Sequence, residues 1–477
     1  MKSPPPIKMI MKKIFTLFAS AATALTLAAT TVTVAPGGST CTLIVDDITL
    51  TDVPVTRQGE VNIAAVKRGE VTVLARFTDA ATLVADGTLR GATFHYATAE
   101  ADAYMATFQI PNGGFEAWTA SSGEPDRWHG FKSAKGWLAG RAKGTLASST
   151  DVRPGSTGSM SALLTSASTY GIINNGTMTN GQLQAASMIP GDAANHSEMD
   201  SESTDTDKNG DPFYTPLKAA PDAIATWIKF SQATYNSDHK YATVSAVAFD
   251  GSYYQDPEDK TYTNVAAKAQ NTTVEQGDWR LLTIPFDYDS YAGNQAAANA
   301  ILITVSTNAD AGQGSSGDKV WVDDMSLLYN AGVTAITATG FDGFAFDAGQ
   351  HDYAFTYEGT PLVLTAGNFD VATGGRSAMV VKAVEDLGGG NYSVVLGTVS
   401  ADLADATLYT ITVTRKSEPQ WQHGDLDHDG SVDIADVNLL INALLDGTKP
   451  DGYDLNADGS VDIADVNDII NIMLNAN

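Results

Sequence analysis

The sequence predicts a mainly β, multidomain chain, a succession of β-sandwiches ending in a small α-helical module built on acidic loops. Three observations carry that prediction. Short apolar runs that alternate with polar residues recur between Gly, Asn and Asp turns from about residue 40 to residue 415. A length of 477 residues exceeds what one hydrophobic core organises, so several domains are expected. The end of the chain writes one unit twice: residues 430–438 and 459–467 both read GSVDIADVN, a period of 29 residues.

Composition narrows the function classes. The formal charge of −28, from 28 basic and 56 acidic residues, provides no positive surface for nucleic acid or an anionic membrane. Cys41 is the single cysteine, which excludes an intrachain disulfide. In an exported chain that points to a bacterial protein stabilised by metal and by large β cores.

At the N-terminus, Met11 onward reads MKKIFTLFASAATALTLAATTVTVA, two lysines followed by an apolar run and small residues. Residues 1–35 are therefore expected to be a signal peptide, with initiation at Met11 an alternative and cleavage between residues 24 and 35. No later stretch has eighteen consecutive apolar residues, so no further span is expected after cleavage. The protein is expected to be secreted or held at the bacterial cell surface.

Residues 36–109 read as a small β domain with no recognisable chemistry. Residues 110–331 hold six of the seven tryptophans and many strand-like runs, among them AIATWIKF, ATVSAVAF and AILITVS, which imply an antiparallel sandwich. Trp227 and Trp279 alternate with apolar neighbours and are expected in its core. Sugar recognition needs flat aromatic faces for the apolar side of a pyranose ring, with amides and carboxylates for its hydroxyls. The candidates are Trp128, Trp137, Tyr253, Tyr254 and Tyr288, each also an ordinary core residue of a sandwich. Hydrolysis would need two carboxylates facing across a cleft, about 5 Å apart for retention and wider for inversion. Glu116, Glu124, Asp126, Asp222, Asp287 and Asp289 are available, and no spacing selects a pair. There is no zinc pattern, GxSxG elbow or phosphate-cradling glycine loop, and catalytic residues are not assigned. The balance points away from an enzyme; if there is one, it is a glycoside hydrolase. Asp205, Asp207, Asn209 and Gly210 make half of a calcium loop, but Pro216 stands at its closing position, so a polar turn is expected.

The opening PNGGFEAW, the Trp128 region, SALLTS, PDAIATWIKF and the closing KVWVDDMSLLY together resemble a jelly-roll family named for carbohydrate metabolism and akin to carbohydrate-binding modules. The resemblance implies glycan binding. It also implies a structural calcium ion held by Glu116 with Asp323 or Asp324. Residues 332–415, with period-2 runs closing on TLYTITVTR, resemble a cadherin-like or immunoglobulin-like sandwich that would act as a spacer. Residues 416–423 read as a linker.

Residues 424–477 contain twelve Asp and one Lys. Counted from its first Asp, each copy is a loop with oxygen-bearing residues at alternate positions: Asp425, Asp427, Asp429, Ser431, Asp433 and Asp436, then Asp454, Asn456, Asp458, Ser460, Asp462 and Asp465. Calcium takes six to eight oxygens, Gly at the sixth position permits the tight turn, and the seventh supplies a backbone carbonyl. Position 12 is Asp where an EF-hand has Glu. A helix follows each loop and none precedes it. This combination resembles a type I dockerin, which implies two calcium ions and a cohesin-type partner protein. The resemblance places Ile434, Ala435, Leu439 and Leu440, and in the second copy Ile463, Ala464, Asp468 and Ile469, at the partner-facing positions. The reading is a secreted glycan-associated protein, with a hydrolase or a structural, adhesive surface protein with a calcium-stiffened tail as alternatives.

Overall fold

The structure is a computed structural model. It describes residues 31–475 apart from 36–37, 46–47, 59–60, 69–70, 79–82, 90–91, 98, 341–343, 417–420 and 451. Residues 1–30 of the expected signal peptide and most of the linker lie outside the described residues, while Thr31–Val34 at the end of the expected signal peptide forms a strand paired with residues 41–44. The described chain is strand-rich, with α-helices at Ala99–Ala106, Ile434–Leu445 and Ile463–Asn475.

It divides into two compact units. The larger holds the chain up to Tyr353 with Leu364–Asp386 and Tyr392–Thr412; the smaller holds Ala354–Val363, Leu387–Asn391 and Val413–Asn477. In the larger unit, strands from Thr31–Val34 to Ala92–Ala97 form a seven-stranded antiparallel meander in sequence order. Its Val61–Arg68 strand, VNIAAVKR, starts with six consecutive buried residues because both faces are covered. Ala64 and Val66 pack with Cys41, Val53 and Phe77; Val61, Ile63 and Ala65 pack with Met105, Val381, Val395 and Leu403.

The centre is the two-layer sandwich. One sheet has the order Gly277–Pro285, Ala223–Ser231, Lys319–Leu328, Ser161–Thr165, Thr145–Ser149; the other runs Thr177–Thr179, Ala300–Ser306, Ala242–Phe249, Val265–Val274. Period-2 alternation fills the space between them. Ile224, Ile228 and Phe230 face inward from one layer and Ala242, Val244, Ala246, Ile301, Ile303 and Val305 from the other. Trp227 and Trp279, expected inside, are only half-buried: Trp227 alternates outward from Ile228, and Arg153 lies 5.4 Å from its ring centre.

The outer face of the second sheet changes character along its strands. At one end Val247, Phe249, Ala300 and Leu302 pack beneath Met199, Tyr254 and Tyr262. Those three belong to, or lie just beyond, a small sheet of Gln182–Ala185, Asn195–Met199 and Tyr254–Asp256. At the other end the same strands turn Thr243, Ser245, Thr304 and Ser306 outward, and these four are half-buried beneath a looser cover that includes Leu183, Ile172 and Met188.

Candidate functional site

That polar half-face is the floor of a cleft of about 340 Å³. Thr243, Ser245, Gln270, Thr272, Thr304 and Ser306 supply hydroxyls and an amide from three strands of one sheet. Ser245 donates to the Asp256 carboxylate at 2.8 Å and accepts from the Gln270 amide at 3.0 Å. Burial holds the Asp256 carboxyl above its ordinary value, ahead of the opposing Ser245 hydrogen bond. The wall carries His196, whose ring nitrogens contact the Ala193 carbonyl at 2.7 Å and the Glu198 carboxylate at 3.1 Å. Burial alone would lower the imidazole pKa; Glu198 and the carbonyl outweigh it and hold the value up. Gln184 donates to the other Glu198 oxygen at 2.8 Å.

None of the expected aromatic residues lines this cleft, although two of them are exposed beside residues next to it. Trp137 is 55 % exposed and donates its indole N–H to the Ala186 carbonyl, between the lining residues Ala185 and Ser187. Tyr253 is 38 % exposed, and its hydroxyl donates to Gln255 and Glu198. Three other candidates are core. Trp128 is fully buried against Phe115, with its N–H on the Pro111 carbonyl. Tyr254 packs against Phe249 and Tyr262, and Tyr288 is buried with its hydroxyl on the Pro221 carbonyl. None of the three offers a ring face to a ligand. Sequence reasoning missed Tyr170, which lines the cleft and is 73 % exposed. Its signal was the Tyr-Gly pair between the short strands Ala167–Thr169 and Ile172–Asn174.

Glu116, Asp323 and Asp324, expected to hold a calcium ion, are each engaged by donors of the protein itself. Glu116 accepts from the Ser159 and Met160 backbone N–H groups and the Ser159 hydroxyl. Asp324 pairs instead with Arg153, and Asp323 accepts from the backbone of Arg153 and Asp324. A guanidinium supplies the positive charge, and burial raises the Asp323 carboxyl to about 6. The hydrolase carboxylates are similarly engaged. Glu124, buried, accepts from Gly130, Lys132 and Ser133; Asp126 from Thr119 and Asn209; Asp222 from Asn330 and Arg376; Asp287 from Ser290. Asp289 opens a short 3-10 turn. The 205–210 segment is a polar turn: Asp207 caps Asn209 and Asp211, and Asp205 pairs with Lys135.

In the smaller unit the two acidic loops fold identically. Asp425 accepts from Asp429 at 3.2 Å and Gly430 at 3.0 Å; Asp454 accepts from Asp458 at 3.2 Å and Gly459 at 2.8 Å. Position 12 locks each loop to its helix. Asp436, buried, accepts from Leu426, Asp427 and Asp433, and Asp465 accepts from Leu455, Asn456 and Asp462. Burial would raise both carboxyls; the backbone donors outweigh it and lower them. His428 and Ala457 are left-handed at φ 62° and 57°, a second required turn that the glycine pattern did not announce. The oxygens of Asp425, Asp427 and Asp429 lie within 4.8 Å of one another, the one such acidic group among the described residues. Asn456 replaces one carboxylate in the second loop. A compact set of carboxylate oxygens with no Lys or Arg in the loop fits a hard divalent cation.

Helices Ile434–Leu445 and Ile463–Asn475 pack through Val437, Leu440, Val466 and Ile469. Leu440 and Ile469 are fully buried in that seam, so they do not face a partner as expected. Leu439, Ala464 and Asp468 are half-buried, and Ala435 is exposed. Ile434 and Ile463 are 61 % and 68 % exposed. The exposed apolar stripe continues to Ile441 and Leu445 on the first helix and to Leu474 on the second.

No curated protein matches the chain. Similar solved structures include the enzymatically active domain of tailspike protein 4 of bacteriophage CBA120, at 11 % identity and TM-score 0.23 over 46 % of this chain and 21 % of that one. They include the CBM22-1 xylan-binding domain of Paenibacillus barcinonensis Xyn10C, at 11 % identity and TM-score 0.22 over 46 % and 92 %. A third is the C-terminal family 22 carbohydrate-binding module of Clostridium thermocellum Xyn10B, at 10 % identity and TM-score 0.19 over 46 % and 95 %. This chain therefore spans about a fifth of the tailspike's length. TM-scores this low transfer no function. Among the described residues no helix is long and apolar enough to cross a membrane. A family model does match the tail, in the segment that holds both acidic loops and both helices: residues 423–474 are a dockerin type I domain.

Proposed function

We propose that this is an exported, glycan-associated protein whose central sandwich binds carbohydrate in the cleft and whose tail docks, with calcium, to a cohesin-type protein. The cleft carries the first half of the reading: a floor of neutral hydroxyls and an amide beside the exposed ring of Tyr170 is the chemistry that recognises a pyranose. In the tail, Asp425, Asp427, Asp429, Asp433, Asp436 and the Ser431 carbonyl would hold one ion, and Asp454, Asn456, Asp458, Asp462, Asp465 and the Ser460 carbonyl a second. Calcium there supplies positive charge that lets the acidic loops close, so binding becomes folding free energy. The exposed stripe of Ile434, Ile441 and Leu445, echoed by Ile463 and Leu474 a repeat later, is the docking face.

The test is retention of the full chain on a panel of polysaccharides, with a reducing-sugar assay on those that retard it and cohesin capture with and without chelator. Retention without sugar release, and capture lost on chelation, is the expected result. Sugar release would transfer the weight to a hydrolase; no retention and no capture would leave a structural protein.

A further inference from the structure

The occupant of the cleft and the residue that grips it can be named more closely, on the reading that the cleft binds carbohydrate. We propose that it takes an uncharged polysaccharide, one ring of which stacks on Tyr170. Two independent features point there. Among the described residues lining the cleft there is no Lys or Arg, while Asp192 and Asp256 are present. The nearest wall imidazole, His196, is engaged by Glu198. An anionic glycan would meet these two carboxylates, only Asp256 being opposed by a cation, Lys268, in a chain of formal charge −28.

The second feature is the backbone of Tyr170. It sits in a two-residue hairpin, with Thr169 paired to Ile172, and both turn residues are left-handed: Tyr170 at φ 54° and Gly171 at φ 82°. A turn of this kind favours Asn-Gly, because the left-handed region repels a Cβ with a bulky side chain. Tyr at the first position costs conformational energy, and the ring gains little in return by packing, since the residue is 73 % exposed. A strained position that holds a large aromatic residue out over a cleft lined by hydroxyls suits a stacking platform.

The experiment uses the full chain on xylan, mixed-linkage β-glucan, mannan and polygalacturonate, with Tyr170→Asn, Tyr170→Phe and wild type compared by affinity electrophoresis and thermal melting. Wild type should be retained by at least one neutral polymer and not by polygalacturonate. Tyr170→Asn, which relieves the turn and deletes the ring, should lose roughly tenfold or more in affinity while melting at the same temperature or higher. Tyr170→Phe should keep most of the binding. If Tyr170→Asn binds as wild type does, the platform is overturned and the carbohydrate reading stands. Equal retention on polygalacturonate overturns the charge argument. If wild type is retained by none of the four, the carbohydrate reading falls and this proposal with it.

Discussion

Trp128 and Trp137 stand nine residues apart and have opposite fates. Trp128 fills the core beside Phe115, so Trp128→Ala should cost about 3–5 kcal/mol in stability, read as a lowered denaturation midpoint. Trp137 is exposed, with its N–H on the Ala186 carbonyl and the Arg141 guanidinium 5.8 Å from its ring centre, so Trp137→Ala should cost no more than about 1 kcal/mol and weaken retention on the bound polysaccharide several-fold. Loss of binding in neither variant would remove Trp137 from the site. His129 gives a pH-dependent counterpart. It is buried beside Phe213, and burial lowers its imidazole to about 4, against smaller opposing effects from Asp207 and Asp211. Between an ordinary value of about 6.5 and that folded value, the unfolded chain binds a proton that the sandwich does not. Stability from this residue is therefore fully present at neutral pH and lost as pH falls through the window, by about 3 kcal/mol at most. The raised Asp323 carboxyl acts in the opposite sense, losing stability as pH rises from about 4 to about 6. In His129→Leu the melting temperature should fall less between pH 7 and pH 4.5 than in wild type; parallel curves would contradict the assignment.

At the level of the element, the sandwich strands were legible because period-2 alternation is a direct consequence of strand geometry. Ala242, Val244 and Ala246 point inward as their spacing requires. What alternation leaves open is the fate of the outward residues. Val247 and Leu302 are buried beneath Met199, Tyr254 and Tyr262 from other parts of the chain, whereas Ser245 and Thr304, two residues away on the same strands, line the cleft. The cleft is that boundary, and only long-range packing draws it. The acidic loops were legible for the opposite reason: each is one contiguous segment in which the same residues supply turn, cap and oxygens. Helix spacing identified the apolar positions in the tail but not their sides, so Leu440 and Ile469 belong to the interhelical seam and Ile441, Leu445 and Leu474 to the surface. Because Asp436 ties the first loop to its helix through three backbone donors, Asp436→Asn should reduce the calcium stoichiometry by one per chain in a calorimetric titration. Unchanged stoichiometry would remove that loop as a metal site.

For the whole molecule, metal dependence should be confined to the tail. Arg153 places its own positive charge on Asp324, where calcium was expected. Chelation followed by hydrogen exchange on the full chain should speed exchange through Ile434–Leu445 and Ile463–Asn475 and leave Ala242–Phe249 protected. Deprotection of the sandwich strand would place a structural ion in the larger unit after all.

The central claim is that glycan binding resides in the polar half-face of the sandwich. Its most direct test is affinity electrophoresis of full-length Ser245→Trp, which fills the cleft from its floor, through the polysaccharide that retards wild type. Abolished retardation with an unchanged calcium stoichiometry is the predicted result. Retardation equal to wild type in a folded variant would contradict it and move the binding surface elsewhere on the chain.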